Sequence, residues 1–317
     1  MNEKVRRSWL EVPMSQPQRI DSAHLTGADL VVLDLVEFVP ESGKPEARER
    51  VRTAVEQVKA GGAEVFAQVD PELIYADLRA CVWPGLAGVV VARLESAGQL
   101  IEADRLLGEL EEERGLMPGS LEIVASVETA KGNQNAFEIA NASPRVTALT
   151  LGRAELVMDL RPEPSGEIHL MQYLMQRLIL VANASGVDPL GAWWREPDRG
   201  LLATADRTRE AAVRGRAIGF KGSLCVLDGQ AGPLNQGFTP SAEEREAARR
   251  LLYSHQARLA NPGVENMLVS IPDDQGERLI DLGAADQARN LLGLASRCAS
   301  RDQEKAAALD QRPVPSR

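Results

Sequence analysis

The chain has few of the residues on which many active sites and binding surfaces depend. Of its 317 residues only 4% are aromatic, and the formal net charge is -10. A stacking platform for bases and a basic face for phosphates are both missing, so no nucleic acid partner is expected. Cysteine is scarce: Cys81, Cys225 and Cys298 are far apart, odd in number and without metal-ligand spacing. That argues against a disulfide framework and a zinc site. His24, His169 and His255 are equally scattered and read as surface or packing residues, which disfavours a histidine-based nucleophile triad. No Gly-x-Gly-x-x-Gly or P-loop pattern follows a strand, so nucleotide hydrolysis and a dinucleotide cofactor lack their fingerprints. No apolar run reaches the length of a membrane span or of a signal-peptide core, so no membrane partner is expected and the expected location is cytoplasmic.

What is present is a globular composition, 44% hydrophobic and 26% charged, with short β-forming runs alternating with longer amphipathic segments. SWLEVP (8–13), DLVVLDL (29–35), EVFAQVD (64–70), AGVVVAR (87–93), LEIVASVE (121–128), VTALTLG (146–152), DPLGAWW (188–194) and GSLCVLD (222–228) read as strands. Segments such as SAGQLIEADRLLGELEEERG, opening on serine and closing on glycine, read as the helices between them. Eight such units predict an α/β fold, a (β/α)8 TIM barrel over residues 1–240. FTPSAEEREAARRLL starts a helical extension over 241–300, with a short segment before its second helix. Residues 301–317, ending in RPVPSR, have little to bury and are expected to be disordered.

In such a barrel the site forms where the strands end. There the sequence places Asp34 and Glu37, then Gln68 and Asp70, Arg93 and Glu95, Glu128, and finally Arg153 and Glu155. Glu128 and Glu155 could supply oxygen ligands to Mg2+, which keeps waters and accepts substrate oxygens in its remaining positions. The competing reading is that strand-end acids are solvated, cap the next helix or pair with arginines. VETAKG and GRAEL pass almost directly into helices whose first N–H groups can bind an anionic oxygen, an arrangement suited to an enolate or carboxylate.

These segments resemble the citrate lyase β-subunit family of the HpcH/HpaI aldolase group, which also contains malyl-CoA and citramalyl-CoA lyases. The resemblance runs through RSWLEVPMSQP, GADLVVLDL, RLESAGQL, VETAKG, GRAEL, GFKGSLCVLDGQ, FTPSAEEREAARRLL and ERLIDLGAADQARNLL in the expected order. It implies a magnesium-dependent lyase or aldolase, usually a homotrimer or hexamer, acting on an acyl-CoA thioester and a 2-oxo acid. It also implies a C-terminal segment that covers a neighbouring subunit's site. By position, Glu128 and Glu155 match metal ligands, and Asp281 matches an acid that moves a proton at the thioester α-carbon. Arg93 and Arg153 would polarise the oxo acid, while Gln68, Asp34 and Glu37 would face the substrate. The chain departs from the family where Arg-x-Asn is replaced by Gln68 and Asp70, at Val36, at Asp228 and at Gly283. The alternative reading is a catalytically inactive member serving as a CoA-binding or assembly subunit.

Overall fold

Strand and helix alternate through the computed structural model, which describes residues 4–161, 164–194, 204–259, 269–273 and 276–310. The first unit opens with β1 (Ser8–Pro13), α1 (Pro17–Ala23), β2 (Leu30–Asp34), α2 (Lys44–Lys59), β3 (Glu64–Val69), α3 (Ile74–Cys81), β4 (Gly88–Val91) and α4 (Ala97–Glu113). It continues with β5 (Glu122–Val127), α5 (Ala130–Gln134), α6 (Ala136–Ala140), β6 (Val146–Leu151), α7 (Arg153–Leu160) and α8 (Pro164–Ser185). β7 (Asp188–Leu190), α9 (Ala205–Ile218), β8 (Ser223–Cys225) and α10 (Ala231–Phe238) complete it. Each strand lies within one of the eight apolar runs read from the sequence. The sheet order is β7-β6-β5-β4-β3-β2-β1-β8, and every paired neighbour is parallel. A bridge between Leu190 and Gly222 closes the ring, so the fold is the (β/α)8 barrel that the alternation predicts.

The period of two along each strand divides the core into two layers. Trp9, Leu30, Val32, Phe66, Val90, Val124, Ala148 and Leu190 form the cluster inside the barrel. Their alternates, among them Leu10, Val31, Leu33, Val65, Val89 and Ile123, pack with the helices in the larger outer cluster. Trp9 meets Phe66 edge to face at 5.3 Å, and the ring fits because β4 opens on Gly88, where an added Cβ would lie 2.6 Å from it. Helix starts follow the local chemistry. Ser96 begins α4, and the Gln99 side chain accepts from the Ser96 backbone N–H at 3.1 Å, a reciprocal cap.

The second compact unit spans Thr239–Gln303. It contains α11 (Ala242–Leu259), the antiparallel pair β9 (Val269–Asp273) and β10 (Gly276–Ile280), and most of α12 (Leu282–Asp310). Ile280 packs with Leu251 and Ala284. The hairpin is new relative to the sequence reading, which gave only a short segment there; Pro272 inside β9 weakens the strand signal.

One expectation is corrected. The tail expected to be disordered from Arg301 onward is helical as far as Asp310, and residues 311–317 lie outside the described residues. From Glu304 the helix belongs to the barrel unit. Lys305 is buried there, donating to the Gly27 carbonyl at 2.8 Å and to Asp29 at 2.5 Å. Low hydrophobicity misled the reading, because a buried charge pair fixes this segment.

Candidate active site at the C-terminal end of the barrel

The same period of two that builds the barrel interior also builds the site above it. Two residues beyond Trp9, Val32, Phe66, Val124 and Ala148 stand Glu11, Asp34, Gln68, Ser126 and Thr150. All therefore face inward at the strands' C-terminal halves. One further step along β5 brings Glu128, which is 3% exposed. The Ser126 hydroxyl and the Arg93 backbone N–H lie near enough to favour its ionised form. The second oxygen, Oε2, is buried without a hydrogen-bond partner. An added Cβ on Gly152 would lie 2.3 Å from Glu128 Cγ, so only glycine lets the carboxylate cross the end of β6.

Arg93, beside Glu128, carries backbone strain. Its φ is 48°, and among the described residues Arg161 is the only other non-glycine with positive φ. Such a conformation costs about 1–2 kcal/mol. The Arg93 guanidinium, part-exposed, pairs with Asp70. Asp70 is buried, lies 3.6 Å from Lys44 Nζ and accepts from the Glu72 N–H at 3.0 Å.

Carboxylates outnumber cations here, and their proton affinities record it. Burial, then the charges of Asp34 and Glu128, pushes Glu11 well above the ordinary carboxylate range. Partial burial and the charges of Glu155, Glu128 and Asp34 push Glu37 up to about 8, and it shares a hydrogen bond with Glu155. Glu37 is nevertheless exposed to solvent along part of its side chain. Burial raises Glu128 to about 6, with Glu155 adding to the shift. Burial also raises Asp34, against three backbone N–H groups that favour its ionised form.

The residues singled out from the sequence fall into several positions. Glu128, Glu155 and Glu37 are brought together, with Glu155 in the first turn of α7. Asp34 organises the loop after β2: its oxygens accept from the Val36, Glu37 and Phe38 N–H groups at 2.7, 2.9 and 2.9 Å. That gives it a loop-building role. Gln68 is buried on β3 beside Asp34 in register. Arg153 opens α7, and its side chain lies outside the described residues. Asp281 belongs to the second unit, where it is exposed and accepts from the Ala284 N–H at 2.7 Å, capping α12. The first N–H of α5, offered by the sequence as an anion site, donates to Asp159 at 2.6 Å. Asp228 pairs with Arg19 at 2.7 Å.

Glu11 was missed. Its signal is a charged residue on the Trp9 face of SWLEVP, in mid-strand, where a strand-end rule does not reach. Among the described residues no group of three or more His, Cys, Asp or Glu side chains could hold a metal ion. A cation would therefore be held by two carboxylates and completed by waters and substrate oxygens, which is how Mg2+ is commonly bound. The unpartnered Glu128 oxygen and the surplus of acids fit such an ion, since a buried polar atom left unsatisfied is otherwise costly.

A family model described as HpcH/HpaI aldolase/citrate lyase matches residues 7–227. The citrate lyase subunit beta of Leuconostoc mesenteroides subsp. cremoris is 25% identical over 272 residues, covering 84% of this chain and 88% of that protein. A (3S)-malyl-CoA thioesterase of Cereibacter sphaeroides is 29% identical over 250 residues, covering 77% of this chain and 81% of that protein. Among solved structures, protein CitE from Mycobacterium tuberculosis, in complex with magnesium, acetoacetate and coenzyme A, superposes with a TM-score of 0.71 at 23% identity. That alignment covers 93% of this chain and 100% of the other. With the matched model spanning the barrel from β1 to β8, the chain belongs to the HpcH/HpaI aldolase/citrate lyase family.

Proposed function

We propose that the chain is a magnesium-dependent carbon–carbon lyase that splits a 3-hydroxyacyl-CoA thioester into an acyl-CoA and a 2-oxo acid. The observation that carries this reading is the buried, unpartnered Oε2 of Glu128 amid acids that hold their protons unusually tightly. Glu128 and Glu155 would hold the ion, which when bound supplies an electrophile for the oxo acid's oxygens. Ser126 and the Arg93 N–H favour the ionised form of Glu128 that a cation would meet. The Arg93 guanidinium, paired with Asp70, would hold a substrate carboxylate, and Gln68 would supply a neutral amide. In the reaction the 3-hydroxyl loses its proton and the bond between C2 and C3 breaks. The electron pair stays on the thioester side as an enolate, which takes up a proton. Asp281, exposed at the start of α12, is the acid proposed to deliver that proton. The relatives' names, a citrate lyase subunit beta and a structure holding magnesium, acetoacetate and coenzyme A, support the reaction class.

A second reading, thioester hydrolysis, draws on the (3S)-malyl-CoA thioesterase relative. Incubation with magnesium and a panel of 3-hydroxyacyl-CoA thioesters separates the two. The lyase yields 2-oxo acid and acyl-CoA in equal amounts, whereas a thioesterase yields free CoA thiol with the hydroxy acid intact. Absence of both products, together with no magnesium binding by calorimetry, would sink the enzyme reading in favour of a binding or assembly subunit.

A further inference from the structure

The mouth of the barrel is chemically lopsided. At the ends of β3 and β4 stand Asp70, Lys44 and Arg93, the charged side. On the opposite side, between β6, β7, β8 and β1, lies a cavity of about 290 Å³. Its size is close to the roughly 300 Å³ at which small-molecule pockets begin. Its wall is apolar, built chiefly from Met171, Met175, Leu190, Trp194, Phe220 and Leu234. Of the three hydroxyls in the wall, Thr208 donates to the Thr204 carbonyl at 2.9 Å and Ser223 to the Leu224 carbonyl at 3.0 Å, leaving Thr150 to face the cavity. The Gln230 side-chain oxygen accepts from the Leu227 N–H at 3.2 Å. Among the described residues of the wall there is no Lys, Arg or His, and the one carboxyl is Glu11.

We propose that this cavity is the specificity pocket for an uncharged hydrocarbon substituent of the substrate, and that it excludes a substituent carrying a second carboxylate. This rests on the lyase reading and names its substrate class. A carboxylate entering the cavity leaves water without meeting a cation. A hydrocarbon group meets methyl, thioether and aromatic surface, each buried methylene strengthening binding roughly fourfold. The substrate is thereby oriented, with its carboxylate toward Arg93 and its apolar group toward Leu190 and Phe220.

The hydrocarbon group can belong to the oxo acid or to the acyl thioester, and two ligand series distinguish them. Calorimetry on the full chain, with and without magnesium, compares 4-methyl-2-oxopentanoate with oxaloacetate in one series and isobutyryl-CoA with malonyl-CoA in the other. In at least one series the hydrocarbon ligand should bind tenfold or more tighter than its carboxylate counterpart. Ala192→Leu, which adds bulk to the cavity wall, should narrow that ratio to threefold or less. Equal or tighter binding of the carboxylate ligand in both series overturns the proposal, and that result needs no variant to fold. Failure of the lyase reading shows separately, as absence of 2-oxo acid release from the thioester panel.

Discussion

The two ends of the barrel are made from the same alternation and treat charge in opposite ways. At the N-terminal end, Arg6 sits between Glu64 and Glu122 at 2.5 and 2.6 Å and lies over the Trp9 and Phe66 rings at 5.7 and 5.2 Å. Arg7 and Lys305 both pair with Asp29, at 2.8 and 2.5 Å. Burial alone would raise these carboxyls, but Arg6, Lys4 and Thr147 bring Glu122 down to about 2. Arg7 and Lys305 likewise hold Asp29 below its ordinary value. At the C-terminal end Glu11, Glu37 and Glu128 are all shifted upward. The paired end stabilises the fold. The unpaired end stores a demand for positive charge that a ligand can meet, which is the usual division of labour in this architecture.

The comparison breaks most visibly at the paired end. Asp29→Ala leaves Arg7 and Lys305 buried without their carboxylate and should cost about 3–5 kcal/mol, read by urea denaturation. Next, Glu128→Gln removes a proposed metal ligand: magnesium affinity by calorimetry should fall more than ~100-fold, with little loss of fold stability. If stability falls as far as for Asp29→Ala, the two ends are not different in kind.

The pH dependence sharpens the contrast. Glu122 has a folded value of about 2 against 4.5 unfolded, so its contribution is present above pH 4.5 and lost as pH falls toward 2. Glu128 and Glu37 are raised from 4.5 to about 6 and about 8. The folded state holds those protons more tightly, so their contribution is full below pH 4.5 and is lost as pH rises through 6 and 8. Metal-free protein should therefore melt at lower temperature near pH 8 than near pH 5, and magnesium should restore more at pH 8. A smaller effect is expected at Gly152→Ala, where the new Cβ would displace Glu128 and weaken magnesium roughly tenfold. Smallest is Arg105→Ala, which breaks exposed pairs with Glu102 and Glu109 and should leave the urea midpoint unchanged within error.

Much of this was legible before any coordinates. Eight apolar runs located the eight strands, because burial on both faces leaves a continuous hydrophobic signature. Glu128 and Glu155 could be named as partners, since each ends or follows such a run. Glu11 was not legible by the same rule, because it lies inside a strand and is revealed only by its parity with Trp9. The sequence position of Asp34 suggests a substrate contact, and the structure adds a loop folded around both its oxygens. A carboxylate's sequence position does not say whether backbone N–H groups or a ligand will satisfy it.

The sequence by itself determined the periods, the order of elements and which residue types reach the mouth, since these follow from local sterics and the separation of apolar from polar side chains. Only the tertiary structure decided which charges are answered. The left-handed turn at Arg93, the clearance at Gly152 and the reach of α12 back to Asp29 bring together groups far apart in the chain. Whether a buried carboxylate is paired or left wanting depends on those long-range approaches, because electrostatic energy is set by distance and burial in space.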